Sequence, residues 1–125
     1  MPDTPADVLR TAAARVRETA RSATRGPWAA EESREHGFRV GTSDGQEWVA
    51  WTGAYDDEPD PSRADAAWIA LMHPGLAEPL AMWLETEARS NAGDEDHRQC
   101  APDKCTTIAA LAFAHIILGT TKEES

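Results

Sequence analysis

The residues best suited to chemistry are His97, Cys100 and Cys105, spaced His-x2-Cys-x4-Cys in a polar stretch. Imidazole and thiolate groups hold zinc in a tetrahedron, commonly from a loop that runs into a helix. A fourth ligand would come from Asp94, Asp96, His73, His36 or His115. The spacing is not that of the zinc fingers, so three readings stay open for the pair of cysteines. They are free thiols in a reducing cytosol, zinc ligands, or the two ends of a small disulfide loop. Thioredoxin-like redox chemistry is a poor fit, because four residues separate the cysteines rather than two. The other catalytic patterns are missing. The chain has no Gly-x-Ser-x-Gly and no glycine-rich phosphate loop, and Gly41 to Gly45 is better used in a hairpin turn. Asp56-Asp57-Glu58 lacks the alternating spacing of a calcium loop. His115 reads as a satisfied or partly exposed helix histidine rather than a base. The expectation is a protein that is not an enzyme, has no catalytic residue, and has no cofactor unless a structural zinc sits at His97, Cys100 and Cys105.

The composition limits what could position such residues. Of 125 residues, 51 are hydrophobic but 23 of those are Ala, and Leu, Ile, Val and Phe together number only 17. With a formal charge of −10, that proportion borders on the disordered range. Five Trp argue for a folded domain with a thin core. The acids gather at Glu31-Glu32, at Asp56, Asp57, Glu58 and Asp60, and at Asp94 to Asp96. Such a surface repels phosphates, so direct nucleic-acid binding is not expected. No apolar run approaches the ~20 residues of a membrane span. The first residues lack the basic and apolar regions of a signal peptide, so the expectation is a cytoplasmic, bacterial protein. Ten Arg against two Lys is the bias of a GC-rich genome.

The elements follow from punctuation and period. Thr4 can cap a helix with Pro5 at its first position and Asp7 in its first turn. Its stripe is Val8, Leu9, Ala12, Ala13, Val16 and Ala20, and it should end near Arg25, before Gly26-Pro27. Residues 28–52 read as strands. A two-residue turn at Asp44-Gly45 would set Val40 opposite Val49 and Phe38 opposite Trp51 on a buried face. Arg39 would then face Ala50, and Gly41 would face Trp48. Trp48 lies diagonal to Arg39, a cation–π geometry. Trp28–Glu32 would supply a third strand. After an acidic loop at 55–61, Ser62 or Asp60 caps a helix with Trp68 and Ile69 toward the sheet, ended by Pro74-Gly75. A third helix runs from about Leu76 to Asn91, with Leu76, Leu80, Trp83, Leu84 and Ala88 as its stripe. A last helix from Thr106 or Thr107 to Gly119 is apolar nearly all round and should be the most buried. The fold class is α+β: an N-terminal helix, a short antiparallel hairpin or three-stranded sheet, then three helices covering one face. Residues 1–125 form a single small domain, with 1–4 and 120–125 frayed.

Two motifs carry a family resemblance. Ala23-Thr24-Arg25-Gly26-Pro27-Trp28 precedes the hairpin, and Ala64-Asp65-Ala66-Ala67-Trp68-Ile69-Ala70-Leu71-Met72-His73-Pro74 precedes a Leu-rich helix ending in Trp83-Leu84-Glu85. The order resembles the Ead/Ea-type accessory proteins of temperate-phage early regions, and is similar to uncharacterised proteins of actinobacterial phages and prophages. It covers about residues 5–90, and departs from the pattern in having Trp68 for Phe and His73 for Asn. The resemblance implies a small phage-derived protein, accessory to phage growth, with no known enzymatic activity.

The functional expectation is a protein that binds a host or phage protein, with Arg39, Trp48, Asp56, Asp57, Glu58 and Asp60 as contacts. Charge and an exposed aromatic mark the hairpin's second face for this role. An alternative is an acidic mimic of nucleic acid that blocks a defence or DNA-processing protein. It would array Glu31, Glu32, Glu35 and the acids at 56–60 on one surface. A second alternative is a small zinc-binding protein. A homodimer would support the thin core, with the alanines of the first helix allowing close approach.

Overall fold

The computed structural model describes residues 4–33, 37–53, 61–90 and 106–120. Its order is α1 (Pro5–Ser22), β1 (Trp28–Glu32), β2 (Phe38–Thr42), β3 (Trp48–Thr52), α2 (Ser62–Leu71), a 3-10 turn (Pro74–Leu76), α3 (Ala77–Ser90) and α4 (Thr106–Leu118). This is the α+β arrangement with a three-stranded antiparallel sheet in the order β1-β2-β3. The chain gathers into two compact units, one of residues 1–19 with 77–125 and the other of residues 20–76.

The first unit is helical. Thr4 caps α1 as its residue type predicts: the Asp7 N–H donates to Thr4 Oγ1 at 3.0 Å, and the Val8 N–H to the Thr4 carbonyl at 2.9 Å. The helix ends at Ser22, a turn short of Arg25. Its buried stripe of Ala6, Val8, Leu9, Ala12 and Ala13 forms one cluster with Ala81, Leu84 and Ala88 of α3 and with Ala110 and Ala114 of α4. Ala6, Ala12 and Ala13 of α1 are thus used inside this core, while Ala14 is exposed. Leu9 and Leu84 are its largest fully buried side chains. The expectation that α4 is the most buried element is not met: only Thr107, Ala110 and Ala114 are buried, and Ile116 stands in water. A helix that is apolar all round gives no stripe to choose a side, and here the small residues face inward, where backbones approach closely. Arg17 of α1 binds two carboxylates of α3, Glu78 at 2.9 Å and Glu85. The buried Glu87 accepts a hydrogen bond from Thr107 Oγ1 at 2.9 Å, beside the positive end of α4.

The second unit is a sheet carrying α2. Val40, Ala66 and Ala70 form its core, with Trp28, Phe38, Val49, Ala50 and Ile69 packed around them. Trp28 leaves the Gly-Pro stop with its indole N–H donated to the Thr24 carbonyl at 3.0 Å. Gly37, at φ 75°, makes the β1–β2 turn, where a Cβ would lie 2.1 Å from the Thr52 carbonyl oxygen. Thr52 Oγ1 donates to the Ser62 carbonyl at 2.7 Å, which ties the end of β3 to the start of α2. The cap residue of α2 is Pro61, with no side-chain cap; Ser62 is already helical and buried.

Trp68 is a correction. It does not face the sheet with Ile69; it is 64% exposed, and Ala66 and Ala70 meet the strands instead. Consecutive helical residues lie ~100° apart, so Trp68 and Ile69 cannot share a face fully. The small side chains let the helix sit close on the sheet.

Candidate functional site

The outer face of the sheet, turned away from α2, is built by a one-residue irregularity. Near the turn, Gly41 pairs with Trp48 as the sequence predicts. Beyond it Val40 pairs with Ala50, Arg39 with Trp51 and Phe38 with Thr52, leaving Val49 as the extra residue of a β-bulge. A one-residue slip exchanges faces. Val49 and Ala50 both reach the core, and Trp51, expected opposite Phe38 in the core, turns outward and is 60% exposed. The turn is also wider than two residues. The Gly45 N–H donates to the Thr42 carbonyl at 2.8 Å, and Thr42 and Glu47 close a loop of residues 43–46. Asp44 accepts from the Thr42 hydroxyl at 2.6 Å and from the Gln46 N–H at 3.0 Å. Those bonds hold its carboxyl below the usual range, the Thr42 hydroxyl first.

Four side chains meet on this face. The Arg39 guanidinium lies 3.7 Å from the centroid of the Trp48 ring. Its Nε and Nη2 donate to Glu31 Oε2 at 3.0 and 2.9 Å, across the β1–β2 pair. Trp48 and Trp51 stand 6.1 Å apart between centroids at an interplanar angle of 40°, an ordinary aromatic-pair geometry. The Trp48 ring needs Gly41 beneath it, because a Cβ there would come within 2.7 Å of Cε3. Arg39 thus clamps Trp48 flat, and Glu31 neutralises Arg39. What the face offers is two indole surfaces, 42% and 60% exposed, rather than free charge.

The other site candidates are placed as follows. Asp56, Asp57, Glu58 and Asp60 lie outside the described residues, as do His97, Cys100, Cys105, Asp94, Asp96, Glu35 and His36. Glu31 and Glu32 are consecutive on β1, so they project to opposite faces of the sheet rather than into one acidic row. His73 Nδ1 accepts the Gly75 N–H at 3.0 Å in the turn after α2. The ring lies beside Gly26 and Gly75, where an added Cβ would come within 2.6 and 2.5 Å of it. That bond to the residue two ahead is one an Asn side chain also makes. His115 Nδ1 is 2.8 Å from Thr120 Oγ1 just past the end of α4. Among the described residues no three His, Cys, Asp or Glu groups gather around a metal-sized space. A cleft of about 540 Å³ lies between Arg25–Pro27 and the β2–β3 turn; of its two acids, Asp44 and Glu47, the first is committed to the turn.

From the sequence alone Trp51 belongs in the core and Glu31 in an acidic row, so both are missed as members of this cluster. Residues 48 and 51 are three apart, a spacing that puts strand residues on opposite faces unless a bulge intervenes. No protein family, no curated protein and no solved structure matches this chain. No helix among the described residues is long and apolar enough to cross a membrane.

Proposed function

We propose that this is a phage- or prophage-type accessory protein that works by binding a host or phage protein through the outer sheet face. The observation that carries the reading is the Arg39–Trp48–Trp51 cluster, in which Arg39, paired with Glu31, lies on the Trp48 ring and exposed Trp51 stands beside it. Trp and Arg are the residues most often found at the energetic centre of protein interfaces, and rigid aromatic groups lose little entropy on binding. The partner surface is apolar at its centre and basic at its rim, complementing a chain of formal charge −10. Phosphates are poor ligands here, because Arg39, the cation of this cluster, is already paired with Glu31. The phage assignment is supported by the motifs at 23–28 and 64–74. Both have local work in the fold: Trp28 enters the core and His73 closes the turn after α2.

Trp51→Ala tests the reading, since that ring lies outside the core. A photo-crosslinker at position 51 identifies the partner, and calorimetry with the purified partner measures affinity. Loss of a central Trp raises Kd by about 30-fold (about 2 kcal/mol). Equal affinity for wild type and Trp51→Ala would refute the proposal.

A further inference from the structure

We propose that the outer face of α2 is a homodimer contact, packed antiparallel on α2 of a second copy of this chain. The face is made by Ala64, Ala67, Trp68, Leu71 and Met72, which recur at helical spacing and are all exposed. Trp68, Leu71 and Met72 are 64%, 62% and 41% exposed. The opposite side of the helix meets the sheet through Ala66, Ile69 and Ala70, so α2 is apolar on both sides while the sheet covers only one.

The order of sizes along the stripe selects the occupant. It runs small, small, large, large, large from the N-terminal end. A two-fold axis between residues 67 and 68 would set Leu71 of each copy over Ala64 of the other, and Trp68 over Ala67. Large side chains then meet small ones at each of these positions, the self-complementarity an isologous contact needs. The same axis would set Met72, the last of the stripe, against the Arg63 stem of the other copy. A parallel pairing would stack Trp on Trp and leave the alanines facing a gap.

Charge points the same way. Two copies of formal charge −10 repel, so they can meet only where acids are absent. None of the five stripe residues is charged, in a chain that is 27% charged. The three large side chains leave on the order of 300–400 Å² of apolar surface in water. Doubled across the axis, with the alanines and the Arg63 stem added, the contact buries about 900 Å². That is below the roughly 1,200 Å² of stable interfaces and within the range of weak ones, so the dimer should form at roughly 10–100 µM. Added salt should tighten it by screening the like charges.

This inference stands apart from the sheet-face reading. Sheet and helix stripe lie on opposite sides of one unit, so dimerisation leaves Trp48 and Trp51 free. Sedimentation equilibrium on the full chain, from about 1 µM to about 500 µM, tests it. The expected result is a monomer–dimer equilibrium that Leu71→Asp abolishes and Trp51→Ala leaves unchanged. Ala64→Leu adds apolar surface yet should weaken the dimer at least tenfold, because Leu71 of the second copy loses its seat. Both positions are exposed, and far-UV circular dichroism checks that both variants fold. A monomer at every concentration would overturn the proposal, as would a dimer that survives Leu71→Asp. Tightening by Ala64→Leu would also overturn it, by showing general stickiness instead of fitted packing. A monomer whose Trp68 is shielded from quencher only when the sheet-face partner is added would give the stripe to that partner instead.

Discussion

Gly41→Ala should destabilise the protein, although strand propensity alone favours the change. Alanine reduces the freedom of the unfolded chain, which usually stabilises by about 0.4–1 kcal/mol where the backbone allows it. Here the added Cβ would lie 2.7 Å from the Glu47 carbonyl oxygen, 2.7 Å from Trp48 Cε3 and 2.9 Å from Trp48 Cζ3. The carbonyl cannot withdraw freely, because it accepts the Thr42 N–H at 2.9 Å beside the turn. The ring can withdraw only by leaving the guanidinium it holds at 3.7 Å. Overpacking of this kind costs about 1–3 kcal/mol, and a weakened cation–π contact adds about 0.5–1 kcal/mol. After the entropic offset the net loss is about 2 kcal/mol, near 30-fold in the folding equilibrium.

Urea denaturation followed by tryptophan fluorescence measures that loss, and near-UV circular dichroism reports whether the Trp48 ring has left its seat. A double-mutant cycle separates the two clashes. In a Trp48→Ala background the ring is gone and the carbonyl remains, so Gly41→Ala should cost about 1 kcal/mol less there. A Gly41→Ala protein as stable as wild type would refute the reasoning. So would an equal cost in both backgrounds, since the ring would then not be resting on Gly41.

Two further predictions concern the helical unit. Leu84→Ala should cost about 3 kcal/mol by urea denaturation, because the side chain is fully buried in a cluster whose buried members are mostly alanine, too short to fill the space it leaves; a loss under about 1 kcal/mol would show that the helices close over the gap. Arg17 holds the Glu85 carboxyl below its usual range, chiefly by a hydrogen bond. A carboxyl lowered on folding stabilises fully above the unfolded value near ~4.3, and that contribution is lost as pH falls through the lower folded value. The melting temperature should therefore fall more steeply below about pH 4.5 in wild type than in Arg17→Met, and parallel curves would discount the pair.

Local signals in the sequence were reliable, and choices of face were not. Thr4, Pro5 and Asp7 marked the start of α1, the Asp-Gly pair marked the β2–β3 turn, and Pro74-Gly75 marked the end of α2. Each of these acts within a few bonds of itself. Which side of an element is buried depends on a partner elsewhere in the chain. For α2 and α4 the apolar residues run nearly all round, so their period held no answer, and the close approach of backbones decided in favour of Ala. In β3 the answer hung on parity, and Val49 changed it. The Arg39–Trp48 contact was legible because Gly41 opposite Trp48 left room for a ring to lie flat. Glu31 was not, because its pairing with Arg39 depends on the register set by the turn at Gly37.

The arrangement of the tryptophans is what separates a folding explanation from a functional one. This chain has only 17 Leu, Ile, Val and Phe residues, so burying Trp would be the simplest way to enlarge its core. Yet the core of the sheet unit is Val40, Ala66 and Ala70, while Trp48, Trp51 and Trp68 stand in water. A regular hairpin would have buried Trp51; the bulge at Val49 keeps it out, beside Trp48. A rotation of α2 by about one residue would have buried Trp68; the alanines keep it out. In each case a small local feature works against burial of the largest side chain available. The alanines also let α2 sit close on the sheet, and the bulge sets Trp51 beside Trp48, so both features serve the fold; what they leave in water is the indole surface that the two proposed contacts would use.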